Sequence, residues 1–145
     1  MIGLIQRVTS AHVNVKKAVV AEINQGLVLF LGIQKKDNKT SAEQMLRRVL
    51  GLRVFSDESS RMNLSLQDVS GNLLIISQFT LAADTQKGLR PSFSSAAPPE
   101  HAKLIYEYFV ERAQFNYKKI AAGIFGANMQ VSLCNDGPVT FVLES

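Results

Sequence analysis

Leu27 to Ile33 is a run of seven residues, all apolar apart from Gly32. A run this short reads as a β-strand. Its lack of alternation means that both faces are buried. A strand of that kind needs other elements packed over it, so the rest of the chain has to supply a sheet and its cover. The preceding residues begin to do so. Residues 1–8 open on an apolar run that reaches Arg7-Val8, and His12-Val13-Asn14-Val15 alternates. Val19 to Ile23 reads as a third strand, with Asn24-Gln25-Gly26 as the turn into Leu27.

A polar stretch, Lys35 to Lys39, then leads into a helix. Thr40 stands as N-cap with Glu43 three residues on, the spacing of a capping box. Ala42, Met45, Leu46, Val49 and Leu50 follow the period of one buried face, Arg47 and Arg48 lie on the outer face, and Gly51 closes the helix. Leu52–Phe55 adds a short strand, residues 56–70 have no clear period, and Ser70-Gly71-Asn72 is a turn. Leu73 to Leu81 is the next apolar strand, ending in polar residues. Residues 83–99 form a long loop, and Pro99 starts a second helix to about Gln114. On this helix Ala102, Ile105, Tyr108, Phe109 and Arg112 share a face. Lys119–Ala122, Asn128–Asn135 and Pro138–Glu144 complete the strands. The order predicts an α/β domain with helices covering a mixed sheet, with α+β as the alternative. At 145 residues, without repeats or linkers, the chain is expected to form a single domain, 1–145.

Composition narrows the function. Hydrophobic residues make up 46% and charged residues 19%, the balance of an ordinary soluble globular protein, and no apolar run has the length of a membrane span. The opening MIGLIQRV has neither the charged start nor the cleavage site of a signal peptide, so a cytoplasmic setting is expected. The lone Cys134 excludes an internal disulfide and a cysteine zinc cluster, and is expected to be a buried, inert thiol. Net charge is +4, and half of the 16 basic residues fall in the doublets Lys16-Lys17, Lys35-Lys36, Arg47-Arg48 and Lys118-Lys119. Such doublets suit a polyanionic partner. At +4, charge alone still favours a plain solvated surface.

Familiar catalytic patterns are missing. There is no HExxH, Walker loop or dinucleotide fingerprint. His12 sits in a strand and His101 at a helix start, neither with a Ser or Cys partner in sequence. Asp84 and Asp136 are the acidic residues nearest the polar strand ends, too few for a two-carboxylate mechanism. No metal site and no cofactor is expected.

Two stretches stand out. Ser77-Gln78-Phe79-Thr80 ends an apolar strand, where polar side chains can face a ligand from a fixed backbone. Thr80 has a hydroxyl but no evident base to activate it, so positioning is favoured over nucleophilic attack. The second stretch is Asn135-Asp136-Gly137-Pro138-Val139-Thr140, a corner between two alternating segments. Spacing alone favours a hairpin turn there. The X-Pro bond is also the one peptide bond where cis costs only about 0.5–1 kcal/mol. A cis Gly137-Pro138 would aim two neighbouring carbonyls the same way.

Together, SQFTLA at 77–82 and NDGPVT at 135–140 resemble the two signature motifs of the D-aminoacyl-tRNA deacylase family. The resemblance extends to the opening MIGLIQRV, to Lys87-Gly88-Leu89-Arg90-Pro91-Ser92-Phe93, and to Gly123-Ile124-Phe125-Gly126-Ala127. It implies an enzyme that hydrolyses the ester between a D-amino acid, or glycine, and the 3′-terminal adenosine of tRNA. It also implies a three-layer α/β/β fold in a homodimer whose sheets pack into a barrel-like core, and a substrate-assisted route without metal. On this reading Ser77, Gln78, Thr80, Gly137 and Pro138 form the catalytic set. Phe79, Phe93, Phe125, Gly126 and Met129 are expected around the adenosine, with Arg90, Pro91, Ser92 and Lys87 on the tRNA side. The Gly137-Pro138 corner is expected to be cis, to reach the second subunit's site and to refuse L side chains. Two rival readings are a non-catalytic RNA-binding module and a structural β-protein whose corner only mediates dimerisation.

Overall fold

The computed structural model describes residues 1–86 and 88–145, so Lys87 lies outside the described residues. The N-terminal residues form one strand, β1 (Ile2–Val15), rather than the two expected. Its alternation lapses at Thr9-Ser10, where the register with a neighbour shifts. β2 (Ala18–Ile23) and β3 (Gly26–Gly32) follow, both antiparallel to β1. β3 pairs with residues 2–8 of β1 and β2 with residues 11–15, so the two share one edge of that strand.

Helix α1 (Lys39–Gly51) buries Ala42, Met45, Leu46, Val49 and Leu50, the set its periodicity predicts. Its cap differs from expectation. Asn38 is the N-cap, and its Oδ1 accepts from the Ser41 N–H at 3.1 Å. The box therefore closes two residues early and leaves Glu43 free for the second helix. Residues 55–64, expected as a short strand running into irregular chain, include a small hairpin of β4 (Phe55–Ser56) and β5 (Met62–Leu64).

β6 (Asn72–Ser77) runs parallel to β3. It stops at Ser77 instead of Leu81, because Gln78 leaves the extended conformation and Phe79–Ala82 wind into a 3-10 turn. The turn lies close against β3. A Cβ on Gly32 would sit 2.9 Å from Leu81 Cβ and 3.1 Å from the Gln78 carbonyl, so only glycine lets the two meet. Helix α2 (Pro99–Asn116) buries Ala102, Ile105, Tyr106, Phe109 and Ala113. Tyr108 and Arg112, expected in that face, turn to α1, where both donate to Glu43 Oε1.

β7 (Ile120–Ala122) adds a second parallel pairing beside β6. β8 (Gln130–Glu144) is a single strand along β1, so the hairpin reading of residues 135–140 is overturned. Its two halves flank a bulge at which residues 136–139 have no partner in the β1 register. The Gly137-Pro138 bond within the bulge is cis, as the family resemblance implies. The result is a mixed sheet of order β2-β1-β3-β6-β7, with β8 on the free edge of β1. It curls until β2 approaches β6 and β7, a nearly closed, barrel-like sheet. Val8, Val13, Val28, Leu74 and Ile76 fill the inside of the curl, and the larger core lies between the sheet and the two helices.

Candidate active site

β3 and β6 end side by side, with Leu31 opposite Ser77, and the Gln78 N–H donates to the Leu31 carbonyl at 2.8 Å. This places Ser77 and Gln78 at the mouth of a cavity of about 450 Å³. Ile76 and Phe79 continue the wall on that side, Ala97 just before α2 and Pro99 and Ala102 at its start close it, and Phe125, Gly126, Ala127 and Met129 form the opposite wall. Its lining is mostly apolar, with a few polar groups gathered at one strand end, the usual make-up of a small-molecule site.

The opposite wall is held from behind. Tyr106 of α2 reaches through the core, and its hydroxyl lies 3.1 Å from the Ile75 carbonyl and 3.4 Å from the Gly123 carbonyl. Burial pushes that hydroxyl's pKa above the ordinary tyrosine value, so it stays protonated and a donor. Its ring packs on Phe125, with centroids 5.6 Å apart. The end of β6 and the 123–129 segment are therefore pinned to one helix residue. Sequence reasoning missed this residue, because periodicity assigned the face to its neighbour Tyr108.

Thr80 is exposed on the 3-10 turn and does not line the cavity. Its hydroxyl accepts from Gln78 Nε2, which fixes the amide beside the cavity mouth. Phe93 is not a lining residue either, but its ring lies 5.1 Å from that of Phe79. The loop before it is closed by paired backbone bonds between Asp84 and Ser92, at 2.7 and 2.9 Å, and it presents Arg90 and Pro91 to solvent.

Within one chain Gly137 and Pro138 are not part of the cavity wall. Arg7 holds their corner: Nε donates to the Asp136 carbonyl and pairs with its carboxylate, both at 3.2 Å, while Nη1 donates to the Val54 carbonyl at 2.6 Å. Asn135 adds a second tie, accepting from the Val139 N–H at 2.9 Å. Gly137 has φ +125°, and a Cβ there would lie 3.0 Å from the Arg7 guanidinium, so a side chain would displace the anchor. Both corner residues are exposed.

The histidines serve the fold. His101 Nε2 donates to the Asp37 carbonyl at 2.8 Å, and His12 lies in β1 opposite Glu22 and Ser132. Cys134 is exposed rather than buried, since the two-residue period of β8 turns it outward with Ser132 while Val131 and Leu133 face in. Among the described residues, no group of three or more His, Cys, Asp or Glu side chains could hold a metal ion, and no helix is long and apolar enough to cross a membrane.

Comparison with known proteins places this geometry. The family model described as D-Tyr-tRNA(Tyr) deacylase matches residues 4–144. A protein from Cellvibrio japonicus (strain Ueda107) named D-aminoacyl-tRNA deacylase is 58% identical over 144 residues, with 99% of each chain covered. A solved structure titled "c-Myc DNA Unwinding Element Binding Protein" superimposes with a TM-score of 0.96 at 42% identity, covering 100% of this chain and 99% of the other. Another, titled as a probable eukaryotic D-amino acid tRNA deacylase, shares the fold with a TM-score of 0.85 at 14% identity, covering 98% of this chain and 97% of the other.

Proposed function

The chain belongs to the D-Tyr-tRNA(Tyr) deacylase family of hydrolases, and from that premise we propose that it proofreads tRNA in the cytoplasm, as one domain, releasing D-amino acids and mischarged glycine. The observation that carries this reading is the apolar cavity whose mouth holds Ser77 and Gln78. The terminal adenine packs between Phe125 and Met129, over Gly126. Ser77 and the Gln78 amide hold the ester and ribose at the strand end. An aminoacyl ester is already activated and carries a vicinal ribose hydroxyl. Orienting it with a water supplies much of the rate, since positioning alone is worth about 7–11 kcal/mol in well-ordered cases. No side-chain base is needed, and Thr80 acts by fixing Gln78.

Chirality is read at the α-carbon. D-amino acids of many sizes cannot all be recognised by their side chains. Refusing L requires only a rigid wall where the L side chain would project. Gly137 and Pro138 of a second copy supply that wall in a homodimer, with backbone oxygens that cannot swing aside as a side chain can. Glycine has nothing to refuse and is accepted. Incubation with D-Tyr-tRNA and L-Tyr-tRNA tests the proposal: the first is deacylated and the second spared. Equal rates on both would refute it.

A second reading, nucleic-acid binding without hydrolysis, draws on the neighbour named for binding a DNA element and on the basic doublets. Bound but uncleaved D-Tyr-tRNA in the same experiment would favour it.

A further inference from the structure

Phe79 and Phe93 form an aromatic pair that runs from the cavity to the surface. Phe79 lines the cavity yet is 59% exposed, and Phe93, 43% exposed, packs against it from outside the lining with the ring planes tilted by 48°. Two large apolar rings left in water beside a site mark a surface that something covers. The supporting loop is built to hold them. Its ends are tied by the Asp84–Ser92 backbone pair, and Phe93 follows directly, so the ring is set in place before any ligand arrives. Arg90, on the same loop, adds an exposed cation.

We propose that the Phe79–Phe93 pair is a stacking platform for the base of the nucleotide that precedes the terminal adenosine, with Arg90 facing the phosphodiester between the two. This rests on the reading that the terminal adenosine enters the cavity. The strand must then leave past the rim, and Phe79 is common to the cavity and the outer pair. Planar bases stack on aromatic rings whatever their identity, and a guanidinium on the same loop matches the phosphate charge. An aromatic pair beside a loop that also carries a cation suits a nucleotide better than an apolar protein surface.

The experiment compares two esters, D-tyrosyl-adenosine and D-tyrosyl-cytidylyl-adenosine, through the ratio of their kcat/KM values. In the unmodified enzyme the dinucleotide ester is favoured about tenfold, the low end of what one stacked base contributes. Phe93→Ala brings the ratio close to one, and Phe93→Tyr, which keeps a ring, preserves it. Arg90→Gln lowers the ratio and flattens its dependence on salt. A ratio that Phe93→Ala leaves unchanged would overturn the proposal, as would a loss of dimer mass in that variant, which would assign the rings to a subunit contact. If the unmodified enzyme cleaves neither ester nor D-Tyr-tRNA, the functional reading fails instead.

Discussion

Arg7 is 11% exposed and spends its donors on residues far along the chain, the Val54 carbonyl and the Asp136 carbonyl and carboxylate. Charged hydrogen bonds of this kind contribute about 1.5–3 kcal/mol, so their loss frees the corner without emptying the core. Arg7→Ala is therefore expected to keep most cleavage of D-Tyr-tRNA and to raise cleavage of L-Tyr-tRNA by about ten- to a hundredfold. Paired single-turnover rates on the two substrates measure it, and an unchanged preference for D would remove Arg7 from the discrimination. Thr80 makes the opposite kind of case. Its hydroxyl serves Gln78, so Thr80→Ala should lower kcat and still leave measurable deacylation, because no covalent step is lost. A trapped acyl-Thr80 ester would contradict that role. The sequence displays Ser77, Gln78 and the Gly137-Pro138 corner as polar or turn-forming residues in apolar surroundings. Arg7 gives no such signal, since a strand arginine reads as solvent-facing and its partner lies 129 positions away. Phe125 and Met129 stand out only through the family resemblance, because an aromatic or a methionine alone reads as core.

The two helices are joined on their outer side by Glu43, which accepts from Arg112 Nε at 2.6 Å and from the Tyr108 hydroxyl at 2.8 Å. The bonds from Tyr108 and then Arg112 hold the Glu43 carboxyl below the ordinary glutamate value of 4.5. A lowered folded-state pKa means that the stabilisation is complete above pH 4.5 and is lost as pH falls through the lower folded value. Thermal melts should show a steeper loss of Tm below pH 4.5 for the unmodified protein than for Glu43→Gln, with Glu43→Gln less stable near neutral pH. Parallel acid profiles would dismiss the coupling. This contact also shows where element-scale reading stops. Helix α1 and strand β3 are legible because one-sided or unbroken apolar patterning is a local property. The caps are ambiguous, since Asn38/Ser41 and Thr40/Glu43 both offer capping spacing and tertiary contacts take Glu43 away. In the sequence β1 and β8 each look like two strands, for a related reason. Bulges interrupt alternation while the backbone ladder continues past them, and that continuation depends on a partner strand distant in sequence.

At the scale of the whole molecule, β8 leaves a long strand edge and the exposed Phe141 and Val142 without cover among the described residues. Natural sheets do not leave such an edge open, and pairing two copies about a twofold axis closes it on both at once. The expected solution species is a homodimer with twice the 16.0 kDa mass of the chain, and a monomer at micromolar concentration would count against it. Mass alone does not show whether the corner acts across the interface. A mixing experiment does. Gln78→Ala disables the cavity mouth of its own chain but leaves its corner intact, whereas Arg7→Ala loosens the corner and leaves the cavity intact. Alone, the first should be inactive and the second active but tolerant of L-Tyr-tRNA. Refolded together with the Gln78→Ala chain in excess, most Arg7→Ala chains have a Gln78→Ala partner. If each site uses the other subunit's corner, every working cavity in those mixed dimers faces a sound corner, and sparing of L-Tyr-tRNA returns. If the corner serves its own chain, the working cavity keeps its loosened corner and L-Tyr-tRNA is cleaved as before. Restored discrimination in the mixture would place the wall on the partner, and its absence would make each subunit self-sufficient.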